Sequence, residues 1–405
     1  MRIGILTTFL ALPGDADSGI GQHYRILADA LAELGHKVHV VYATLSAERA
    51  EAALCELSPA WTWTVVPVKS PGWLDRAVMR SWPSRLLLNQ VVAAWEANRQ
   101  LHHVATKLDL QVIETHATSF PALFYLMRRR RPPVVTRVST SLSQMNEASL
   151  VHSRVYRWLV AIERWTVNSS DAIVTHTTRH RDAVCTVDGY SPDRFVIIPH
   201  GIHDAVVVPD GRVDPDDLIR ILFVGRFENR KGIDVLLKSI PIIIAKFPNV
   251  RFTLAGATGN GDEWAAFQIE QAALMPRWVV APGRVSEEEL TRLYSTCDIF
   301  VAPSRYESFG LIYVEAMRFE KPVVGCRTGG VPEVVEDEVT GLLANPGDLA
   351  SLVGCLSRLI DDPALRRRLG RAGRQVFLER FSATRMAEAS VELYRKLGEP
   401  SADAC

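Results

Sequence analysis

The stretch from Arg2 to Tyr42, RIGILTTFLALPGDADSGIGQHYRILADALAELGHKVHVVY, decides the fold class of this chain. Ile3 to Thr8 reads as a buried strand, and the loop running on to Gly19 is rich in Gly and Asp. Tyr24, Leu27, Ala28, Leu31 and Leu34 then recur at helical spacing, and Gly35 supplies a left-handed stop. Val38 to Tyr42 begins a second strand at once. Strand, glycine loop, amphipathic helix and strand make a β-α-β unit, whose crossover is expected to be right-handed.

The same alternation continues outward. Val112 to Glu114, Val134 to Arg137, Ala172 to Thr175 and Phe195 to Ile198 are apolar runs separated by helix-like segments, the pattern of a parallel sheet. Between Gly201 and Asp217 it lapses into Pro, Gly and Asp, and a fresh strand starts at Ile219. Ile221 to Val224, Phe252 to Ala255, Val279 to Ala281, Ile299 to Ala302 and Val323 to Cys326 then alternate with helices. Two doubly wound Rossmann-like α/β domains are therefore expected, residues 1–205 and 206–380. Ser286 with Glu289 reads as a capping box at a helix start. Residues 381–405 form a last helical segment with apolar Met386, Ala389, Val391 and Leu393 beyond the last β-α unit.

Composition narrows the classes. A chain of 405 residues with 47% apolar and 23% charged residues suits a folded two-domain protein. Lys+Arg and Asp+Glu balance at 46 each, which argues against nucleic acid as a partner. The six cysteines, Cys55, Cys185, Cys297, Cys326, Cys355 and Cys405, are scattered without a C-x-x-C pair, so neither a zinc site nor a disulfide framework is indicated. No stretch approaches the roughly 20 apolar residues of a membrane span. Met1 to Pro13 reads as a first Rossmann strand instead of a leader, and a reducing, cytoplasmic setting is expected. All 11 histidines lie at or before His203.

In a doubly wound sheet, ligands bind outside the carboxyl ends of the strands. Gly225-Arg226 with Lys231-Gly232, Gly256 to Gly261, Gly283-Arg284, Ser304 to Gly310 and Arg327 to Glu333 each follow a strand of the second domain. They are expected to converge on one cleft facing the first domain. Arg226 and Lys231 put two cations on one loop, which suits a diphosphate leaving group with no metal to neutralise it. Glu307 and Glu315 offer carboxylates to hydroxyls, and the N–H groups of Phe309, Gly310 and Leu311 begin a helix, where an anion is favoured. Each feature taken alone is more often a solvated or structural residue; their common position at strand ends favours a site.

These residues resemble, in order, the C-terminal domain of family 4 retaining glycosyltransferases: Gly225-Arg226 with Lys231-Gly232, Glu307-Ser308-Phe309-Gly310-Leu311 with Glu315, and Gly329-Gly330-Val331-Pro332-Glu333. The N-terminal half is similar more loosely, through Ser18-Gly19-Ile20-Gly21, Glu114-Thr115-His116 and Pro199-His200-Gly201-Ile202. The resemblance implies the GT-B fold, with a C-terminal helix returning to the N-terminal domain, and a metal-free transfer from a nucleotide-diphosphate sugar without a further cofactor. Arg226 and Lys231 would hold the diphosphate, Glu307 the sugar hydroxyls and Glu315 the ribose. Phe309, Gly310 and Leu311 would offer amides, Arg284 and Val285 would lie beside the base, and His116 near the donor sugar. Gly19 and Gly21 would approach the phosphates, although Ser18 stands where the family often has a further glycine.

The acceptor is not legible; a small molecule and a lipid-linked one both fit. Trp73, Trp82 and the stretch to His103, Arg128 to Arg131 and Tyr156-Arg157-Trp158 suggest peripheral contact with the inner face of a membrane, against the plainer reading of exposed helix arginines. An NAD-dependent oxidoreductase is disfavoured by Tyr24 after the glycine loop and by the absence of an acid near Tyr42. A sugar-nucleotide epimerase and a non-catalytic nucleotide-sugar-binding protein are the remaining alternatives.

Overall fold

The computed structural model describes residues 1–12, 19–57, 59–69, 82–144, 154–205, 218–258 and 262–399. Ser18, Trp73, the end of the loop after Gly256 and most of the stretch between the domains lie outside them. β1 (Arg2–Thr7) is buried from Ile3 onward, as a parallel strand covered on both faces should be. The following helix, Gly19–Glu33, turns Tyr24, Leu27, Ala28 and Leu31 inward. Leu34, expected on the same stripe, lies past the helix end and is exposed, because the chain turns away at Gly35.

β2 (Lys37–Thr44), β3 (Thr62–Pro67), β4 (Val112–His116), β5 (Val134–Arg137), β6 (Ala172–Thr175) and β7 (Phe195–Ile197) complete a parallel sheet in the order β3-β2-β1-β4-β5-β6-β7. Ile3 pairs with Val38 on one side and Val112 on the other, so the strand order reverses at β1. The second sheet has β8 (Ile219–Val224), β9 (Val250–Ala255), β10 (Val279–Gly283), β11 (Ile299–Val301), β12 (Val323–Cys326) and β13 (Gly341–Ala344), in the order β10-β9-β8-β11-β12-β13. Its order reverses between β8 and β11. β3 and β13 are absent from the reading of the sequence; both are edge strands, and TWTVVP and GLLA are too short and mixed to stand out.

The chain divides into two compact units, Met1–His203 with Ala383–Cys405, and Asp204–Ser382. The terminal helix Ala383–Gly398 belongs to the first. Its Ala383, Met386, Ala387, Val391, Leu393 and Tyr394 are buried in the same core as Ile3, Tyr24, Leu27 and Val38. Ala383 N–H donates to the Ile202 carbonyl at 2.8 Å, anchoring the helix start.

Candidate functional site

In the second unit the loop after β11 is held in place by Arg305. Its guanidinium grips the Asp234 carboxylate at 2.6 and 2.8 Å and donates to the Asn229 carbonyl at 2.7 Å. Its own N–H donates to the Arg230 carbonyl at 2.8 Å, while its carbonyl accepts from the Thr328 hydroxyl at 2.9 Å. Loops after β8, β11 and β12 are thereby tied together, and Arg305 had no signal in the sequence beyond its place in the strand-end loop.

Glu307 stands at their meeting point. Lys231 Nζ donates to its Oε1 at 2.6 Å, and Ser304 Oγ donates to the same atom at 3.0 Å. Arg230 lies 3.7 Å from Oε2. The Glu307 carbonyl accepts from Gly330 N–H at 2.8 Å. Gly329 makes this approach feasible: at φ 50° it sits in the left-handed region, and a Cβ there would fall 2.1 Å from the Glu307 carbonyl oxygen. The glycine pair after β12 thus lets a backbone turn lie directly against the carboxylate residue.

Arg226 is placed differently from Lys231. Its side chain is 69% exposed and rests on Glu228 at 3.4 Å, and Arg230 takes the same Glu228 oxygen at 2.9 Å. The carboxylate of Glu228 and the second arginine, Arg230, were missed in the sequence, where charged loop residues carry no pattern. Glu315 lies deep in the Leu311–Met317 helix, and its Oε2 accepts from the Tyr294 hydroxyl at 2.7 Å. Burial raises its pKa above the usual carboxylate range, against the pull of that hydroxyl, Arg318 and Lys231. Gly310 caps this helix, and the first bond inside it is Tyr313 N–H to the Gly310 carbonyl, so the Gly310 and Leu311 amides precede it. Phe309 packs edge-on against Phe381 with ring centres 5.7 Å apart. Arg284 is exposed and Val285 half-buried just after β10. Ser286 caps the next helix, accepting from Glu289 N–H at 3.2 Å, but the capping box is one-sided because the Glu289 carboxylate turns to Arg292 at 2.6 Å.

In the first unit His116 ends β4. Its Nε2 accepts from Thr8 N–H at 3.2 Å, and its ring packs between Phe9 and Tyr24. Burial pulls its pKa down to about 3, with His23 adding and the Thr118 backbone opposing, so the imidazole is neutral at pH 7. Gly21 is where the Gly19–Glu33 helix meets the end of the first strand's loop: a Cβ there would lie 2.9 Å from Ala11 N. Its observed role is close packing, and among the described residues nothing lies within 4 Å of where a Cβ on Gly19 would be.

A row of buried histidines extends from this region. His176 stacks on His180 and on His200 with ring centres 4.3 and 4.7 Å apart, and Nδ1 of His200 lies 3.1 Å from Nδ1 of His23. His23 in turn lies 4.0 Å from Glu114. Burial alone would raise Glu114, but Arg137 at 3.0 Å, His23 and the Tyr394 hydroxyl outweigh it and hold the pKa at about 2. The crowding of histidines into the first half of the sequence was the available signal, but spacing alone did not show that they meet.

Two parallel-sheet Rossmann-like domains, with charged and glycine-rich loops at strand carboxyl ends, define a protein of the GT-B class. Comparison with known proteins agrees. Residues 18–206 match the family described as Glycosyltransferase Family 4 and residues 211–376 that described as Glycosyl transferases group 1, and the chain belongs to the family 4 glycosyltransferases. It is 27% identical to D-inositol 3-phosphate glycosyltransferase of Thermobifida fusca, over 92% of this chain and 87% of that protein. It is 31% identical to a Mycobacterium tuberculosis glycogen synthase over 60% of this chain, a match spanning 58% of that relative's length. Among solved structures, sucrose-phosphate synthase from Thermosynechococcus elongatus superposes with a TM-score of 0.73 at 22% identity, covering 98% of this chain and 99% of that one. Anabaena HepE in complex with UDP and glucose gives 0.71 at 18%, covering 98% and 100%.

Proposed function

We propose that this protein transfers a hexosyl group from a nucleotide-diphosphate sugar to an acceptor hydroxyl, with retention and without a metal ion, in the making of a glycan, glycolipid or glycoconjugate. The observation that carries this reading is Glu307, clasped by Lys231 and Ser304 against the Gly329-Gly330 turn at the carboxyl end of the second sheet. The ion pair holds the Lys231 ammonium and the Glu307 carboxylate in place side by side. On donor binding Lys231 turns to the diphosphate, joined by Arg226 from its exposed position, and Glu307 accepts hydrogen bonds from sugar hydroxyls. Glu315 accepts from the ribose, the amides of Phe309, Gly310 and Leu311 face sugar and phosphate, and Arg284 and Val285 flank the base. A neutral His116 bonds a sugar hydroxyl without adding charge.

The acceptor oxygen then attacks C1 from the face the diphosphate leaves. The C1–O bond to phosphate breaks as the C1–O bond to the acceptor forms, and the acceptor proton passes to the leaving phosphate oxygen, so no separate protein base is needed. Cations aimed at that oxygen stabilise the charge developing there. HepE, with UDP and glucose bound, supports a nucleotide-sugar donor for this chain.

A screen against UDP-, GDP- and ADP-sugars, read by thermal shift and slow donor hydrolysis, tests the reading. One donor should bind and turn over equally well in EDTA, and the sugar should keep its anomeric configuration in the product. Loss of turnover on chelation, restored by manganese or magnesium, would overturn the metal-free mechanism; an inverted product would overturn retention.

A further inference from the structure

We propose that one face of the first unit docks on an anionic lipid bilayer. The surface is built around the Arg154–Asn168 helix, whose inner side buries Tyr156, Leu159, Glu163, Thr166 and Val167. The outer side of a surface helix is ordinarily polar. Here Arg154, Trp158, Ala161 and Trp165 follow one another at helical spacing and are all exposed, Trp158 by 66% and Trp165 by 41%. The helix contains one acid, Glu163, and it is buried with its Oε1 accepting from Leu142 N–H. The outward stripe is therefore aromatic and cationic with no negative charge in it.

Two neighbouring helices pack against this one. Tyr156 and Leu159 share a cluster with Phe120, against which Leu87 and Val91 from the Trp82–Lys107 helix and Leu123 from the Leu123–Leu126 helix also pack. These three helices form one layer. One turn beyond Val91, Trp95 is 52% exposed and stands edge-on to Phe124. Met127 is 64% exposed and leads into Arg129 and Arg130, both exposed. Among the described residues Arg129, Arg130, Arg154 and Arg157 enter no ion pair. A cavity of about 630 Å³ opens on the flank of the helix, lined by Arg157, Val160 and Val187, with Arg164 committed to Asp188. A phosphate-bearing headgroup seated there would meet the Arg157 guanidinium.

Tryptophan side chains settle at the boundary between water and acyl chains, and arginines beside them attract anionic headgroups. An amphipathic helix with both, in a chain of zero net charge, concentrates positive potential on one face. The partner with matching chemistry is a bilayer rich in anionic lipid. The proposal is independent of the transferase reading, since binding is measured without donor or acceptor.

Flotation with phosphatidylcholine vesicles, with and without phosphatidylglycerol, tests it. The protein should float with the anionic vesicles, with a blue shift of tryptophan fluorescence, and release in about 1 M salt, where charges are screened within about 3 Å. Arg154→Gln and Arg157→Gln should each weaken binding about fivefold. Trp158→Ser with Trp165→Ser should abolish the blue shift, while Ile269→Ala, an exposed site in the other unit, should change nothing. Near-ultraviolet circular dichroism identifies variants that remain folded. Failure to float with anionic vesicles, or equal binding to neutral ones in folded Arg variants, would overturn the proposal. So would a concentration-dependent dimer abolished by the tryptophan substitutions, which would assign the face to a second copy.

Discussion

At the level of single residues, the cations and carboxylates of the second unit are set in unequal positions, and their variants should differ accordingly. Lys231→Ala and Arg226→Ala should each lower turnover at least about tenfold, since losing a group that stabilises transition-state charge costs about 3 kcal/mol. Lys231→Ala also frees Glu307 from its 2.6 Å partner, so it should raise the donor KM as well, whereas the exposed Arg226 should act mainly on turnover. Glu315→Gln should weaken free nucleotide diphosphate binding, because the Tyr294 hydroxyl holds that carboxylate where the ribose is expected. Glu307→Gln should leave the free nucleotide's affinity near normal and weaken only the intact donor. Titration calorimetry with both ligands separates the two, and equal nucleotide losses would refute the division of roles.

At the level of elements, the terminal helix carries more than a tail would. Tyr394 is fully buried and donates to Glu114, whose other oxygen is held by Arg137, so the helix completes a buried charged group near the centre of the first sheet. Tyr394→Phe keeps the ring and removes the donor. Leaving a buried carboxylate short of one partner should cost about 1–3 kcal/mol. Met386→Ala should cost about 2–5 kcal/mol by leaving a cavity beside the first strand's core. Urea unfolding should show both losses in the transition of the first unit only. If Met386→Ala shifted the transition of the second unit by the same amount, the helix would be stabilising the wrong partner for this account.

For the whole molecule, the histidine distribution makes acid stability asymmetric. Burial first of all pulls His23 and His180 down to about 4, His116 to about 3, and His200 well below its ordinary value. Above about pH 6.5 these groups are neutral whether the chain is folded or not. As pH falls below that, the unfolded chain takes up protons that the folded one refuses, and stability is lost down to about pH 4, by up to about 1.4 kcal/mol per pH unit for each histidine. Glu163, pushed up to about 8 by burial, works in the opposite sense from pH 8 to its unfolded value and offsets about one histidine. The second unit, Asp204–Ser382, contains no histidine at all. Between pH 7 and 5 the unfolding midpoint of the first unit should fall steeply while that of the second stays nearly level. Hydrogen exchange at the two pH values assigns the transitions, and parallel shifts in both units would disprove the linkage.

The sequence by itself determined the two α/β sheets, because a buried parallel strand, a glycine turn and an amphipathic helix each leave a local period that survives in one dimension. Val134–Arg137, Ala172–Thr175 and Val323–Cys326 were bounded to the residue for that reason. Glu307, Lys231 and the Gly329-Gly330 pair were legible as candidates through their order along the chain. Their contact was not, since Lys231 and Glu307 are 76 residues apart and meet only when three loops are drawn together by Arg305. Tertiary structure alone decided the rest: that Arg226 rests on Glu228, that Gly21 serves helix packing, that β3 and β13 are sheet edges, and that a row of four histidines ends at Glu114, which Tyr394 also reaches. Those outcomes depend on burial and charge pairing between distant segments, and such terms have no period in sequence because they arise only once the chain has closed on itself.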